Sequence, residues 1–114
     1  MTADEYTKAQ LASLMWRAAA HISFPAMVAV GLCVRNQVKD GNWLPVIDKI
    51  DAQNAATGLD CTDARDPKFQ DVLTAVDGIF DGTRVDRWTN GGTQWWAGDA
   101  RERTAVVGSL EIYK

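Results

Sequence analysis

The stretch AMVAVGLCV, residues 26–34, is the longest apolar run of the chain and decides how the other elements pack around it. A helix that is apolar on every side has no face for water, so this run predicts a buried central helix. Ser23 can cap the helix, and Pro25 fits its first turn, where a missing N–H costs little. The sequence turns polar at Arg35, and the Asp-Gly pair at 40–41 predicts the stop.

A second helix is predicted before this run. Thr2 and Glu5 have the spacing of a capping box, in which each residue's side chain bonds the backbone N–H of the other. The helix should run to about Ala20 or His21, with an apolar stripe at helical spacing formed by Leu11, Leu14, Met15 and Ala18. Gly31, within the central run, suggests close approach of a neighbouring element.

Two more helices are predicted after the central one. Residues 42–50 predict a short helix whose inward side carries Val46, Ile47 and Ile50. The small and polar stretch DAQNAATGLDCTDARDP, residues 51–67, predicts a long surface connection. The Asp-Pro pair at its end opens a further helix, which the Asp-Gly pair at 81–82 ends.

The last third of the chain has a β character. RWTNGGTQWW, residues 87–96, predicts two short strands around a glycine-containing turn, and residues 104–114 predict a further strand. Helices followed by a small antiparallel sheet in the C-terminal third indicate an α+β fold. We expect residues 1–114 to form one domain.

Composition narrows the function classes. The 114 residues carry a formal net charge of −3, which argues against a nucleic-acid binder with a basic face. The apolar run at 26–34 is too short to span a bilayer, so no membrane insertion is expected. The first residues, MTADEYTK, lack the pattern of a secretory signal, so we expect synthesis in the cytoplasm and a separate route to any outside target.

The chain has two cysteines and one histidine. No CxxC or HExxH pattern occurs, so neither a zinc site nor another cofactor is expected. Cys33 and Cys61 could form a disulfide in an oxidising compartment. The alternative is two unpaired thiols, with Cys33 a core residue.

Three stretches together resemble a known family. VAVGLCVRNQV, residues 28–38, resembles the buried helix of cell-wall hydrolases of the spore-cortex-lytic type, which reads roughly VAVAxVxxNRV. DRWTNGGTQWW, residues 86–96, resembles their DPTNGAxxF segment, with Arg87 and Trp88 where the family has proline. AVVGSLEIYK, residues 105–114, resembles their closing strand.

The resemblance implies a lysozyme-like fold and cleavage of peptidoglycan glycan strands in the bacterial cell wall. It leaves open whether the enzyme type is a muramidase or a lytic transglycosylase. The small size and the missing signal suggest a phage-type member such as an endolysin. We expect a monomer, with association to a virion as a possibility.

One departure from the family concerns its catalytic glutamate, which lies in a segment resembling YAEARGE. Aligned with MWRAAAHIS, residues 15–23, that segment places Ala18 at the glutamate and Ile22 at a second acid. Alanine has no proton to deliver to the leaving oxygen, so the chain as written should be nearly inactive by this route. The explanations are an engineered Glu-to-Ala change, natural loss of catalysis, or another acid, of which the candidates are Glu5, Glu102, Glu111 and Asp99.

The tryptophan-rich segment has the residue types of a glycan-binding groove. Trp rings stack on the apolar faces of sugars, amides and hydroxyls bond their polar groups, and paired glycines let a ligand approach the backbone. The predicted binding residues are Trp88, Thr89, Asn90, Gly91, Gly92, Gln94 and Trp95. The alternative for Thr89 and Asn90 is turn formation, and Trp16 and Trp43 are expected to be packing residues. The arginines at 84, 87, 101 and 103 could meet acidic peptide stems or form a solvated edge.

Overall fold

A computed structural model describes residues 2–57, 66–95 and 102–114, and in these ranges four helices precede one β-hairpin. The elements are α1 (Ala3–Ala19), α2 (Phe24–Asn36), α3 (Leu44–Thr57), α4 (Pro67–Asp81), β1 (Arg103–Val107) and β2 (Leu110–Tyr113). The predicted α+β class, mostly helical with a small antiparallel sheet near the C-terminus, is confirmed.

The apolar run forms the centre of the molecule. All residues from 26 to 34 are buried within α2, which contacts α1, α4 and β1. The Ser23 hydroxyl accepts a hydrogen bond from the Ala26 N–H (3.1 Å), so the predicted cap is confirmed. A β-carbon added at Gly31 would lie 2.7 Å from Met15 Sδ and 2.9 Å from Ile79 Cδ1, as expected for a close approach of α1 and α4.

The helix ends three residues before the predicted stop. α2 ends at Asn36, because the chain tightens there and the Gln37 N–H bonds the Val34 carbonyl three residues back. The Asp-Gly pair at 40–41 instead occupies a tight turn, with both residues at positive φ, closed by a bridge between Lys39 and Asn42.

Local end signals predicted α1 and α4 correctly. The Thr2 hydroxyl accepts from the Glu5 N–H (3.1 Å), and the Glu5 carboxylate accepts from the Thr2 N–H (3.3 Å), which is the expected capping box. Asp66 caps α4 at the Lys68 N–H (2.8 Å), and Gly82 ends it in the left-handed conformation.

The short helix predicted at 42–50 is longer than expected. α3 extends to Thr57, so the first part of the predicted surface connection is helical. This segment contains three alanines, which favour helix, and Asn54 anchors it to α1 through bonds to the Gln10 carbonyl (2.9 Å) and side-chain oxygen (2.7 Å). Cys61 lies outside the described residues, and Cys33 is a buried free thiol whose pKa burial raises to about 12.

The C-terminal third differs most from the prediction. Residues 87–93 form no strand, and only a single bridge joins Gln94 to Tyr113. The tail, predicted as one strand, folds back on itself as β1 and β2, with Val107 opposite Leu110. Gly108, with φ of 62°, occupies the first position of a two-residue turn, where a primed hairpin turn needs glycine.

Aromatic packing joins the helices as expected for Trp16 and Trp43. The Trp16 ring meets Phe69 edge-on (5.5 Å between centroids), and Trp43 stacks on Phe80 (5.1 Å). None of the helices in the described ranges is long and apolar enough to cross a bilayer.

Candidate functional site

Residues 86–92 form a tight turn that the Asp86 carboxylate holds together. Its Oδ1 accepts hydrogen bonds from the backbone N–H groups of Trp88 (3.1 Å) and Thr89 (2.9 Å), and its Oδ2 accepts from the Thr89 hydroxyl. This is the Asx-type arrangement that lets aspartate replace a backbone turn partner. The Thr89 side chain is completely buried, so the turn-forming alternative describes it, and we call residues 86–92 the clamped turn.

The polar end of α2 fastens the clamped turn to the core. The Asn36 amide nitrogen donates to the Gly92 carbonyl (2.8 Å), to Thr89 Oγ1 (3.1 Å) and to Asp86 Oδ2 (3.4 Å). The next residue, Gln37, donates to the Thr93 carbonyl (2.6 Å). The end of the buried helix therefore fixes both the turn and the segment that follows it.

The hairpin closes the clamped turn from the other side. The Thr104 hydroxyl donates to the Thr89 carbonyl (2.6 Å), and the Asn90 amide donates to the Thr104 carbonyl (3.4 Å). Gly92 has no room for a side chain, because a β-carbon there would overlap Ile112 and lie 2.7 Å from Thr104 Oγ1. The turn is thus held between α2 and the hairpin.

The hydrogen bonds of the clamped turn keep Asp86 ionised. Burial raises the pKa of this carboxyl group. The hydrogen bonds from Thr89, Trp88 and Asn36 together lower the pKa by more than burial raises it, so the pKa lies below its ordinary value of 3.8. A general acid needs a raised pKa to hold its proton near neutral pH. Asp86 is therefore a structural anion and not a proton donor.

An open groove of about 710 Å³ lies beside the clamped turn. It is lined by residues from α1, α2, α3 and the segment after the turn, and its size falls in the usual range for small-molecule sites. The groove is defined by Leu14, Val34, Asn36, Gln37, Lys39, Val46, Lys49, Ile50, Ala52, Gln53, Thr93, Gln94 and Trp95.

The groove combines an apolar floor with neutral polar groups and positive charge. Leu14, Val46 and Ile50 are buried apolar residues, and one aromatic ring, Trp95, borders them. Four side-chain amides and two lysines supply the polar groups, and none of the described lining residues is acidic. Among the described residues, no three His, Cys, Asp or Glu side chains are grouped as metal ligands.

The structure brings two of the predicted binding residues into the groove and places the others around it. Gln94 and Trp95 line it. Thr89 and Gly92 are buried within the clamped turn, where they support its shape. Three predicted binding residues lie on the exposed side of the turn without lining the groove: Trp88, Asn90 and Gly91.

Ala18 is partly buried near the C-terminal end of α1 and packs against the core. It does not line the groove, but it lies one helical turn beyond Leu14, which does. Residues four apart share a helix face and are separated by about 6 Å along the axis. Position 18 is therefore one helical turn along α1 from a residue that lines the groove.

The other acids differ from the proton donor that glycosidic cleavage requires. Glu5 is used in the capping box, and Glu102 is exposed. A hydrogen bond from Tyr113 and the Arg103 guanidinium (3.0 Å) lower the pKa of Glu111, which is the wrong direction for a general acid. This ion pair also engages Arg103, one of the arginines considered for stem peptides, while Arg101, Asp99 and Trp96 lie outside the described residues.

Sequence reasoning missed six polar groove residues: Asn36, Gln37, Lys39, Lys49, Gln53 and Thr93. Three separate segments supply them, and no short motif joins the segments. One signal was present, because the fully apolar α2 ends in Asn36-Gln37, and amides at the end of a buried helix need polar partners.

No protein-family model matches this chain, and neither a curated protein nor a solved structure matches it. The family resemblance therefore depends on the three sequence stretches alone.

Proposed function

We propose that this chain binds glycan strands of bacterial peptidoglycan in the groove, and that it has the lysozyme-like fold of enzymes that cleave those strands. In this proposal the chain binds without cleaving, because the acid position holds Ala18. The observation that carries the proposal is the lining of the groove, which combines an aromatic ring, four amides and no acidic side chain among its described residues.

The lining suits a sugar chain. Pyranose rings present flat C–H faces that an indole can cover, as Trp95 would, and Leu14 and Val46 extend the apolar surface. Hydroxyl and acetamido groups need both donors and acceptors, and an amide side chain carries both. Gln37 gives one N–H to the Thr93 carbonyl and has a second N–H and an oxygen besides. Neutral amides also cost less to desolvate than carboxylates, which suits a neutral sugar backbone.

The way the three family-like stretches meet supports the lysozyme-like proposal. Asn36, from the stretch at 28–38, donates directly to Thr89 and Gly92 of the stretch at 86–96. The closing stretch contributes Ile112, which packs against Gly92. Three weak motifs that contact one another are a stronger indication of a lysozyme-like fold than the same motifs scattered over the surface.

Position 18 is where we propose that catalysis has been lost. Ala18 is partly buried and lies one turn from the groove floor, so a glutamate there would be partly desolvated. Desolvation raises a carboxyl pKa and prepares it as a proton donor. General acid catalysis contributes about 10²–10⁴-fold to a rate, so its absence leaves binding without appreciable cleavage.

The experiment compares Ala18→Glu with Ala18→Gln and the unchanged chain on purified sacculi. We expect all three proteins to sediment with sacculi and only Ala18→Glu to release soluble muropeptides. An anhydro sugar in the product mass would identify a lytic transglycosylase, and a reducing end would identify a muramidase. Failure of the unchanged chain to sediment would contradict the binding proposal.

A folded Ala18→Glu variant that binds sacculi and releases nothing would contradict the proposal that this chain lost catalysis at position 18. It would favour the alternative, a non-catalytic peptidoglycan-binding or phage structural module. The absence of acidic groups from the described groove lining is the observation that favours this alternative for the chain as written.

A further inference from the structure

The groove is positively charged although the chain as a whole is acidic. The formal net charge is −3, with 15 acidic and 12 basic side chains. The described groove lining nevertheless contains two lysines, Lys39 and Lys49, and no aspartate or glutamate. The described lining side chains therefore carry a formal charge of opposite sign to the net charge.

The two lysines come from different elements and converge on the groove. Lys39 precedes the tight turn at 40–41, where a bridge to Asn42 holds its backbone, and Lys49 lies on α3. Both are exposed, and neither forms an ion pair with another described residue. By contrast, Lys8 is paired with Asp77 at 3.2 Å.

We propose that these lysines make the groove selective for glycan strands that carry carboxylates over neutral glycans. This inference depends on the proposed function, because it names which strands the same groove accepts. Peptidoglycan offers carboxylates from two sources. The first is the peptide stem, and the second is the lactyl group of muramic acid wherever a stem has been removed, because a stem is attached by an amide bond to that lactyl carboxyl. Chitin has the same linkage and acetamido groups without either carboxylate.

Physical chemistry sets the size of the expected effect. A solvent-exposed ion pair contributes little, and added salt screens it over about 10 Å at 0.1 M. Two such contacts together correspond to an affinity gain of about five- to tenfold at low salt. A selectivity of this origin must therefore weaken as salt is added, whereas stacking and amide contacts should change little.

The experiment measures the binding of the full chain to three glycans, each immobilised on the same support, at about 20 mM and about 200 mM salt. The glycans are intact peptidoglycan freed of teichoic acid, amidase-treated strands that keep only the lactyl carboxylate, and the latter strands with the carboxylates amidated. Chitin serves as a neutral reference. The variants are Lys39→Gln/Lys49→Gln and, as a control with the same loss of charge outside the groove, Lys8→Gln/Lys68→Gln.

We expect the unchanged chain to bind anionic strands about five- to tenfold more tightly than amidated strands at low salt. The groove variant should lose this preference and keep its affinity for chitin, and the control should keep the preference. Tighter binding to intact peptidoglycan than to amidase-treated strands assigns the contact to the stem carboxylates. Tighter binding to amidase-treated strands than to their amidated form assigns it to the freed lactyl carboxylate.

Equal binding to anionic and amidated strands would overturn the inference, as would an equal loss in the groove variant and the control. Both results would leave the proposed function intact, because binding to strands persists. Absence of binding to all four glycans would instead overturn the proposed function and the inference with it.

Discussion

Two cavities of the molecule differ in what their side chains do. The groove of about 710 Å³ presents amides and lysines, and its described lining has no acid to neutralise the lysines. A second cavity of about 430 Å³ lies between α1, α3 and α4, and it contains residues of both charges, Asp4, Asp81 and Arg35.

The aromatic rings of the second cavity contact each other and lie close to cationic side chains. Trp43 and Phe80 stack at 5.1 Å, the Arg35 guanidinium lies 6.0 Å from the Trp43 ring centroid, and the Lys8 ammonium lies 5.2 Å from the Phe80 ring. These contacts stabilise helix packing. Volume alone does not identify a binding site, and what distinguishes the groove is a described lining that contains lysines and no acidic side chain.

The greatest loss of stability is expected for a substitution in the clamped turn, which borders the groove. Gly92→Ala places a methyl group against Ile112 and Thr104, so we expect a loss of about 3 kcal/mol or more in the free energy of unfolding. The control is Gly91→Ala, which meets nothing within 4 Å and costs only the left-handed backbone strain, about 1 kcal/mol. Urea unfolding measures both, and equal losses would contradict the packing of the turn.

The next prediction compares the carboxylate of Asp86 in the clamped turn with that of Asp81 in the second cavity. Asp86→Ala removes the acceptor for Thr89 and leaves polar groups of a partly buried network unsatisfied, so we expect a loss of about 1–3 kcal/mol. Asp81→Ala, in the second cavity, should stay within about 0.5 kcal/mol of the unchanged chain. If the two variants unfold at the same urea concentration, the clamp does not stabilise the fold.

A smaller effect concerns ligand binding. Trp95→Ala removes the only aromatic ring in the described lining of the groove, and loss of stacking should weaken sacculus binding about five- to tenfold. Leu44→Ala removes an apolar side chain that is 74% exposed at the second cavity, and it should leave binding unchanged. Sedimentation with sacculi measures both, and a larger loss for Leu44→Ala would transfer the site to the second cavity.

The smallest effect is a pH dependence. The pKa of Asp86 is lower in the folded chain than its ordinary value of 3.8, so its ionised form stabilises the fold above that value. The contribution is lost as pH falls through the lower, folded pKa. Thermal unfolding between pH 7 and pH 2.5 should show a smaller acid-induced drop in Tm for Asp86→Asn than for the unchanged chain. The pKa of Glu111 is also lowered, but Glu111 is present in both proteins and contributes equally to the drop in Tm of each.

The helical part of the fold was predictable because its signals are local. The Thr2–Glu5 capping box, the Asp66-Pro67 start and the Gly82 end each act within one turn of their helix. The turn at 86–92 was predicted as a hairpin instead, because its shape depends on Asn36 and Thr104, which are distant in sequence. Long-range hydrogen bonds of this kind leave no periodic pattern.

The candidate site was predictable only in part for the same reason. Residue chemistry alone indicated Gln94 and Trp95. The groove also needs Gln37, Lys49 and Gln53, which come together only when α2 and α3 both pack against α1. Thr89 was expected to contact the ligand, but its hydroxyl donates to Asp86 inside the turn. The Thr89 side chain is buried there by the packing of distant segments, which the local sequence does not indicate.

The most direct test of the central claim is a backbone amide NMR titration of the chain with a soluble disaccharide-peptide fragment of peptidoglycan. We expect saturable shifts grouped at the groove, at Gln37, Gln53 and residues 93–95, with Arg35 and Phe80 of the second cavity unaffected. Shifts grouped at the second cavity, or none at millimolar fragment, would contradict the account.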